Sequence, residues 1–302
     1  MHVTAKSAKN SYRITKFKRA ITPYLFVLPN VAIFATFIVI PAILGLVYSL
    51  NEYDGLNDME FIGFENYREL LSDTEFWQAM GRTFLYAGTV VPLLFACSLG
   101  IAMLLVQEIR FKSLFRAVFY WPVMISFIIV GLTWKWIFGS SFGILNYALE
   151  QVGIPPVGWL TDPYWAKMSV VIATLWSRIG FYMVIFIAGL QAIPTDYYEA
   201  ARIDGASRSR IFIGITLPLL KPTSLLVLIL TLIDAFKQYP LMFALTSGGP
   251  GKETTYMVQY IYQTGFEKLE LGLASAMSVI LFAIIGLFTF IQFRLARGGS
   301  YE

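Results

Sequence analysis

One cysteine, Cys97, and one histidine, His2, are all that this 302-residue chain holds of two residue types that build most zinc and nucleophile sites. A single thiol excludes an intramolecular disulfide, and a single imidazole at the second position excludes a His-based metal or catalytic cluster. Charge is scarce as well. Only 14% of the residues are charged and 57% are hydrophobic, against roughly a quarter charged in an ordinary soluble domain. A soluble protein of this size needs more charge than that to stay dispersed, which argues against a soluble enzyme. The carboxylates form no acid/base cluster, so an integral membrane enzyme is disfavoured too. A net charge of +4 and a pI near 9.0 could suggest nucleic acid, but no basic patch runs along a polar helix or an aromatic-lined groove.

What the chain has in excess is long apolar runs. A bilayer core of about 30 Å needs about 20 helical residues, and six runs meet that length, near 24–50, 83–106, 114–138, 168–193, 215–236 and 272–293. The first follows Lys6, Lys9, Arg13, Lys16, Lys18 and Arg19 and could be read as a signal peptide. Its apolar stretch is too long for one, and no small-residue cleavage site closes it, so a retained span is expected. The fold class predicted is an all-α integral membrane protein with six transmembrane helices.

Cytoplasmic loops carry the excess of Lys and Arg. The N-terminal tail, the loop with Arg110, Lys112 and Arg116, the loop with Arg202, Arg208, Arg210 and Lys221, and the end with Arg294 and Arg297 together hold fifteen basic residues. The other side holds seven, Arg68, Arg82, Lys135, Lys167, Lys237, Lys252 and Lys268, over longer loops. Both termini are therefore expected to be cytoplasmic, with tails 1–23 and 294–302 flanking one membrane domain at 24–293. No low-complexity linker divides it, and the lack of a convincing internal repeat weakens an inverted-repeat secondary transporter.

On the outer side, residues 51–82 are acid-rich, and Tyr67, Leu70, Leu71 and Trp77 recur near helical spacing, which predicts an amphipathic surface helix leading into the second span. Residues 139–166 carry Gly143, Pro155, Pro156, Gly158 and Pro163 and read as a turn-rich cap. Trp134, Trp136 and Trp159 are expected in the interfacial aromatic belt, and Cys97 with the Gly100–Ala102 stretch at close helix contacts.

The segment 194–218 is the most informative. Thr195 or Asp196 can cap a short helix, Glu199 can reach back as the capping partner, Ala200 and Ala201 favour helix, and Gly205 can end it. A second helical stretch follows Ser207, and Pro218 and Pro222 mark the turn back into the membrane. On local chemistry alone this is a well-capped exposed loop. However, Glu199-Ala200-Ala201, three residues, Gly205, nine residues, then Ile215-x-Leu217-Pro218 resembles the EAA loop of permease subunits in binding-protein-dependent ABC importers.

That resemblance implies the type I importer permease fold and a coupling helix that docks into a cleft on a separate ATPase. Glu199, Ala200, Ala201 and Gly205 would form the centre of the contact, with Arg202 and Asp204 at its rim. It also implies a second homologous permease subunit, an ATPase dimer, an extracytoplasmic solute-binding protein and residence in the inner membrane. The chain itself has no Walker A loop: Thr246-Ser-Gly-Gly-Pro-Gly-Lys-Glu253 places Thr246 where the first glycine belongs and Glu253 where a magnesium-binding hydroxyl belongs. ATP and magnesium are thus expected on the partner, with no cofactor, metal or catalytic residue on this chain.

Phe61-Ile-Gly-Phe-Glu-Asn-Tyr67, Leu245-Thr-Ser-Gly-Gly-Pro250, Tyr260-Ile-Tyr262 with Phe266, and Leu271-Gly-Leu-Ala-Ser-Ala276 are similar, in that order, to the larger subunit of maltose, glycerol-phosphate and oligosaccharide importers. The implied cargo is a sugar, oligosaccharide or related polyol. Ionisable residues inside spans usually face the bundle interior or a wet cavity, which singles out Arg178, Asp234 and Lys237. Arg178 and Asp234 can pair, and Lys237 can snorkel. The stretch Asp234, Lys237, Gln238 and Tyr239 corresponds to a sugar-lining stretch in the maltose-type subunit, with charges where that subunit has amides; Lys237 would suit an acidic sugar or phosphorylated polyol. Tyr182 and Tyr239 are the candidate aromatic platforms. The rival reading is an ion-coupled secondary transporter or channel, for which only Arg178, Asp234 and Lys237 could form the relay.

Overall fold

A computed structural model describes residues 22–140 and 142–297. His2, the basic residues Lys6 to Arg19 and the chain beyond Arg297 lie outside the described residues, so the expectations placed on them are not addressed by the structure.

Helix dominates throughout. Helix α1 (Thr22–Tyr48) leads to a two-residue ribbon, β1 (Asn51–Glu52) against β2 (Glu60–Phe61), antiparallel with Asn51 opposite Phe61. Helix α2 (Glu65–Ser72) follows; of the expected apolar face Leu70 is buried, beside Asn66, and Tyr67 half-buried, whereas Leu71 and Trp77 are exposed. Asp73 then caps α3 (Thr74–Val106) by accepting from the Glu75 amide at 2.8 Å. The next apolar run is broken: Lys112–Met124 (α4) and Phe127–Ile137 (α5) meet at 102°. Helices α6 (Ile144–Gln151), α7 (Pro163–Gln191) and α8 (Thr195–Ile203) come next. A second bent pair, Arg208–Leu219 (α9) and Lys221–Lys237 (α10), meets at 70°. Pro240–Thr246 (α11), Met257–Tyr262 (α12) and Leu271–Arg297 (α13) complete the order.

Among the described residues four helices are long and apolar enough to cross a membrane, and the number rises to six when each bent pair counts as one span. Gly272 donates to the Tyr53 carbonyl, Tyr260 to Asp73 and Lys252 to Glu75, gathering residues 53–75 and 252–272 on one face. Residues 192–220 lie on the other.

Two expected spans differ in shape. The third is not one helix, because the chain tightens into a short 3₁₀ turn at Trp121–Met124 that contains Pro122, Ile125 is extended at ψ 136 and Ser126 starts a new helix as its cap. The fifth breaks at Leu220, between Pro218 and Pro222, where the sequence places a turn. The second span is also longer than its apolar run, extending to Thr74.

The core lies between α3 and α7, which pack along their length through small residues. Ala87, Ser98 and Ala102 are buried on α3, and Ala166, Ser169, Ala173 and Ser177 on α7. Small side chains let backbones approach closely where apolar solvent offers no hydrophobic drive. Gly180 takes this furthest, since a Cβ there would collide with the Phe119 carbonyl and touch the Tyr120 Cα. Helix α10 lies against both α3 and α7, while α11 packs on α5 and α7, with Gly131 meeting Leu241 and Ala244. Helix α1 stands outside this core against α13, with no buried residue in its apolar window. Ala102 is buried as expected, but Gly100 faces open space.

The aromatic belt also needs correction. Trp159 packs against Phe138 and Trp165 and donates from Nε1 to Asn146 Oδ1 at 3.0 Å, and Trp134 packs against Trp176 and Phe138. Of the three tryptophans only Trp136 is exposed. Asn146, buried on α6, draws Trp159 inward by offering a partner for its N–H, so the turn-rich segment closes over a polar anchor.

Candidate functional site: a polar hub and an exposed loop helix

Three spans meet at one guanidinium. Arg178 Nη2 lies 3.0 Å from Asp234 Oδ2, joining α7 to α10, and its Cζ sits 4.4 Å above the Phe127 ring at the first residue of α5. Tyr182, one helical turn from Arg178, is fully buried and donates its hydroxyl to the same Asp234 Oδ2 at 2.6 Å. Beside them Tyr86 on α3 donates to Thr174 Oγ1 at 3.0 Å. The charges of Arg178 and Asp234 thus cancel, as in the pairing reading from sequence. The acceptor Oδ1 of Asp234 has no hydrogen-bond partner among the described residues, and its side chain is 36% exposed. A hydroxyl-bearing solute could reach that oxygen.

The remaining path candidates do not join this hub. Lys237 is exposed, one turn beyond Asp234 on the same face of α10, with no ion pair among the described residues. Gln238 is buried. Tyr239 stacks on Tyr262, centroids 5.4 Å apart and planes at 27°. Tyr182 cannot serve as a platform, because its ring is buried and its hydroxyl engaged. Phe127, Tyr86 and Thr174 were not singled out from sequence, since an aromatic or hydroxyl residue inside an apolar span carries no local signal of its partner.

Residues 139–143 read Gly-Ser-Ser-Phe-Gly, the letters of a nucleophile elbow. Among the described residues the element before them is helix α5, where the chemistry of this pattern needs a strand.

On the opposite face, α8 stands exposed. Its cap position is Pro194, which offers no acceptor, so neither Thr195 nor Asp196 caps it; both lie inside the first turn, where Asp196 complements the helix dipole. Gly205 ends the helix as expected, at φ +72, and the Ala206 amide returns to the Ala201 carbonyl at 2.9 Å. Ser207 then caps the following turn by accepting from the Arg210 amide at 3.4 Å. Glu199, Ala200, Arg202, Asp204 and Gly205 are exposed and Ala201 is half-buried. Ile203 is 86% exposed and Tyr197 52%, an apolar pair in the open on a short helix. Tyr198 anchors the helix from below, with its hydroxyl 3.3 Å from Thr216 Oγ1.

The face bearing residues 247–255 is held by ions. Glu75 lies 3.1 Å from Arg82 and 3.0 Å from Lys252, and Lys167 lies 2.7 Å from Glu253. The hydrogen bond from Lys167 holds the Glu253 carboxyl below its ordinary value. Burial first, then donation to Asp73, pushes the Tyr260 phenol up.

A family model described as the inner membrane component of binding-protein-dependent transport systems matches residues 94–298. A probable starch degradation products permease, AmyD of Thermoanaerobacterium thermosulfurigenes, is 34% identical over 95% of this chain and 97% of its own length. The trehalose/maltose permease MalF of Thermococcus litoralis is 34% identical over 93% and 96%, and the lactose permease LacF of Rhizobium radiobacter 33% over 91% and 93%. Among solved structures, a bacterial ABC transporter involved in import of the acidic polysaccharide alginate superposes with a TM-score of 0.84 at 22% identity, covering 96% of this chain and 100% of the matched one. At that identity the likeness speaks for the fold alone, the type I importer permease fold expected from the sequence.

Proposed function

Since the chain belongs to the family of binding-protein-dependent transport system inner membrane components, we propose that it is the permease subunit of an ATP-driven importer for a sugar, oligosaccharide or related polyol. The observation that carries this reading is α8: a short exposed helix, Glu199 at its centre, ended by Gly205 at positive φ and presenting Ile203 and Tyr197 to the surroundings. Exposed apolar residues rimmed by charge mark a protein contact. The partner is a separate ATPase dimer, which holds ATP and magnesium. Glu199, Ala200, Ala201 and Gly205 dock on it, with Arg202 and Asp204 at the rim.

Residues 24–293 form the permease domain between cytoplasmic tails 1–23 and 294–302 in the inner membrane. A second homologous permease subunit completes the pathway, and a solute-binding protein delivers cargo to the face bearing residues 247–255. Closure of the ATPase dimer moves α8, and through Tyr198 and the α9–α10 bend it moves α10 against α7. The saccharide character of the cargo rests on the relatives named for sugars, each matched over most of its length. Asp234 Oδ1 is the free acceptor for a cargo hydroxyl near the hub, and Lys237 adds one unneutralised positive charge nearby, which favours an acidic sugar or phosphorylated polyol.

The test is uptake by proteoliposomes holding the complete complex. Saccharide entry should need ATP on the ATPase side and binding protein on the other, and should survive collapse of the proton gradient. Uptake by this chain alone, driven by that gradient, would replace this reading with an ion-coupled carrier.

A further inference from the structure

Four aromatic rings outside the hub form a row. Phe243 on α11 lies 5.5 Å from Tyr239, Tyr239 5.4 Å from Tyr262, and Tyr262 5.2 Å from Phe266, by ring centroids, with interplanar angles of 39°, 27° and 35°. The row is open: Phe243 is 45% exposed, Tyr262 40% and Phe266 66%. It is assembled from segments that bury their other faces. On α11, which packs on α5 and α7, Leu241, Met242 and Leu245 are buried and Phe243 is left outward. On α12, Met257, Gln259 and Tyr260 are buried and leave Tyr262 outward. Phe266 lies in a π-helical turn, Gln263–Glu267, whose Gly265 packs close to Ala274 of α13. Turns of this kind recur at functional sites.

The chemistry of the row separates its possible occupants. Neither the Tyr239 nor the Tyr262 hydroxyl has a hydrogen-bond partner among the described residues, so both are free to meet polar groups. Two phenols inside a lipid-facing stripe would leave donors unsatisfied in hydrocarbon. Lys237 and Gln238 immediately precede Tyr239 within the row, and Glu267 and Lys268, both exposed, follow Phe266 at its end. A saccharide has the matching character, with apolar C–H faces that lie on ring faces and hydroxyls at the edges that bond phenols, amides and charges. Its second ring, Tyr239, lies two residues beyond Lys237, the last residue of α10, which carries Asp234.

We infer that Phe243, Tyr239, Tyr262 and Phe266 are a saccharide-stacking ladder that passes cargo from the 247–255 face toward the Asp234 hub. The inference rests on the proposed saccharide reading. The ladder supplies ring contact, while the hub supplies a hydroxyl acceptor, so ring removal should weaken capture without abolishing the chemistry at Asp234.

The experiment uses the assembled complex in proteoliposomes and exploits the single native thiol. In a Cys97→Ala background, Tyr262→Cys and Phe266→Cys should be modified by a charged, membrane-impermeant methanethiosulfonate added from the binding-protein side. Maltose, trehalose, lactose, raffinose and maltotetraose, with digalacturonate and trehalose 6-phosphate as the anionic members, serve as uptake probes. For whichever of them is carried, Tyr262→Ala and Phe266→Ala should each raise KM roughly three- to tenfold, the range of one aromatic contact, and Tyr262→Trp should restore it. Absence of labelling would show that the rings face lipid or the second permease, and would overturn the ladder. Labelling with unchanged KM would overturn the ladder alone and leave the saccharide reading standing. A complex that carries none of the probes would overturn the saccharide reading, and the ladder with it.

Discussion

Arg178 and Asp234 face each other across α7 and α10 with Nη2 and Oδ2 3.0 Å apart, inside segments that are otherwise almost free of charge. The pair is not sealed: its side chains are 21% and 36% exposed. The guanidinium spends its flat face on Phe127 and leaves Nε buried without a partner. Such an arrangement ties three spans while leaving one carboxylate oxygen free. It is a joint that also presents an acceptor to whatever passes.

The pair should therefore be coupled in stability. Removing either partner strands a charge, whereas removing both removes the problem. Because solvent reaches the pair, the coupling should be about 1–2 kcal/mol, below the value for a sealed ion pair. Thermal unfolding of Arg178→Ala, Asp234→Ala and the double variant in detergent measures it. Additive single effects would mean the pair is not formed in the assembled state.

Gly180 tests the packing that brings Arg178 to Phe127. Its missing Cβ would run into the Phe119 carbonyl, a backbone atom that cannot rotate away. Gly180→Ala should cost about 3 kcal/mol, the upper end for overpacking, and should weaken the Arg178–Phe127 contact. By contrast Gly100→Ala, on the open side of α3, should be close to neutral. Melting temperatures of the two variants make the comparison.

The loop at 247–255 should respond to acid with a defined sign. Lys167 holds the Glu253 carboxyl below its ordinary value of 4.5. A lowered pKa in the folded protein means that the tether is complete above that value and is lost as pH falls through the folded one. Glu253 is close to solvent, so the effect belongs to the local mobility of the loop, with global stability little changed. A spin label on Gly251→Cys, in the Cys97→Ala background, should become more mobile as pH falls below the ordinary carboxylate range. In Glu253→Gln the label should be mobile at neutral pH and insensitive to further acid.

Much of this was readable in the amino-acid sequence where a signal is local. The length and spacing of apolar runs locate six spans, the Glu199 to Gly205 pattern locates an exposed helix and its glycine stop, and the in-span charges point to Arg178 and Asp234 as partners. What was not readable depends on a distant segment. The 102° break of the third run needs Pro122, an extended Ile125 and the Ser126 cap acting together, yet each alone is compatible with a continuous apolar stretch. Trp159 leaves the expected belt because a buried Asn146, thirteen residues earlier, accepts its N–H. Tyr182 ranked as a platform by its neighbours in sequence, but the packing of α7 on α3 and α10 buries it. Thr195 and Asp196 looked like caps because capping residues are recognised by type, while the backbone places Pro194 at the helix boundary.

The central claim is that this chain is driven through its exposed loop by a separate ATPase. Retention of that ATPase by the affinity-purified complex, compared between wild type and Glu199→Lys, tests it most directly. Glu199 is exposed with no ion pair among the described residues, so the change should leave the spans folded and the second permease bound. The account predicts ATPase retention reduced roughly tenfold or more, with ATP-driven uptake falling in step. A Glu199→Lys complex that keeps its ATPase and transports at the wild-type rate would contradict it.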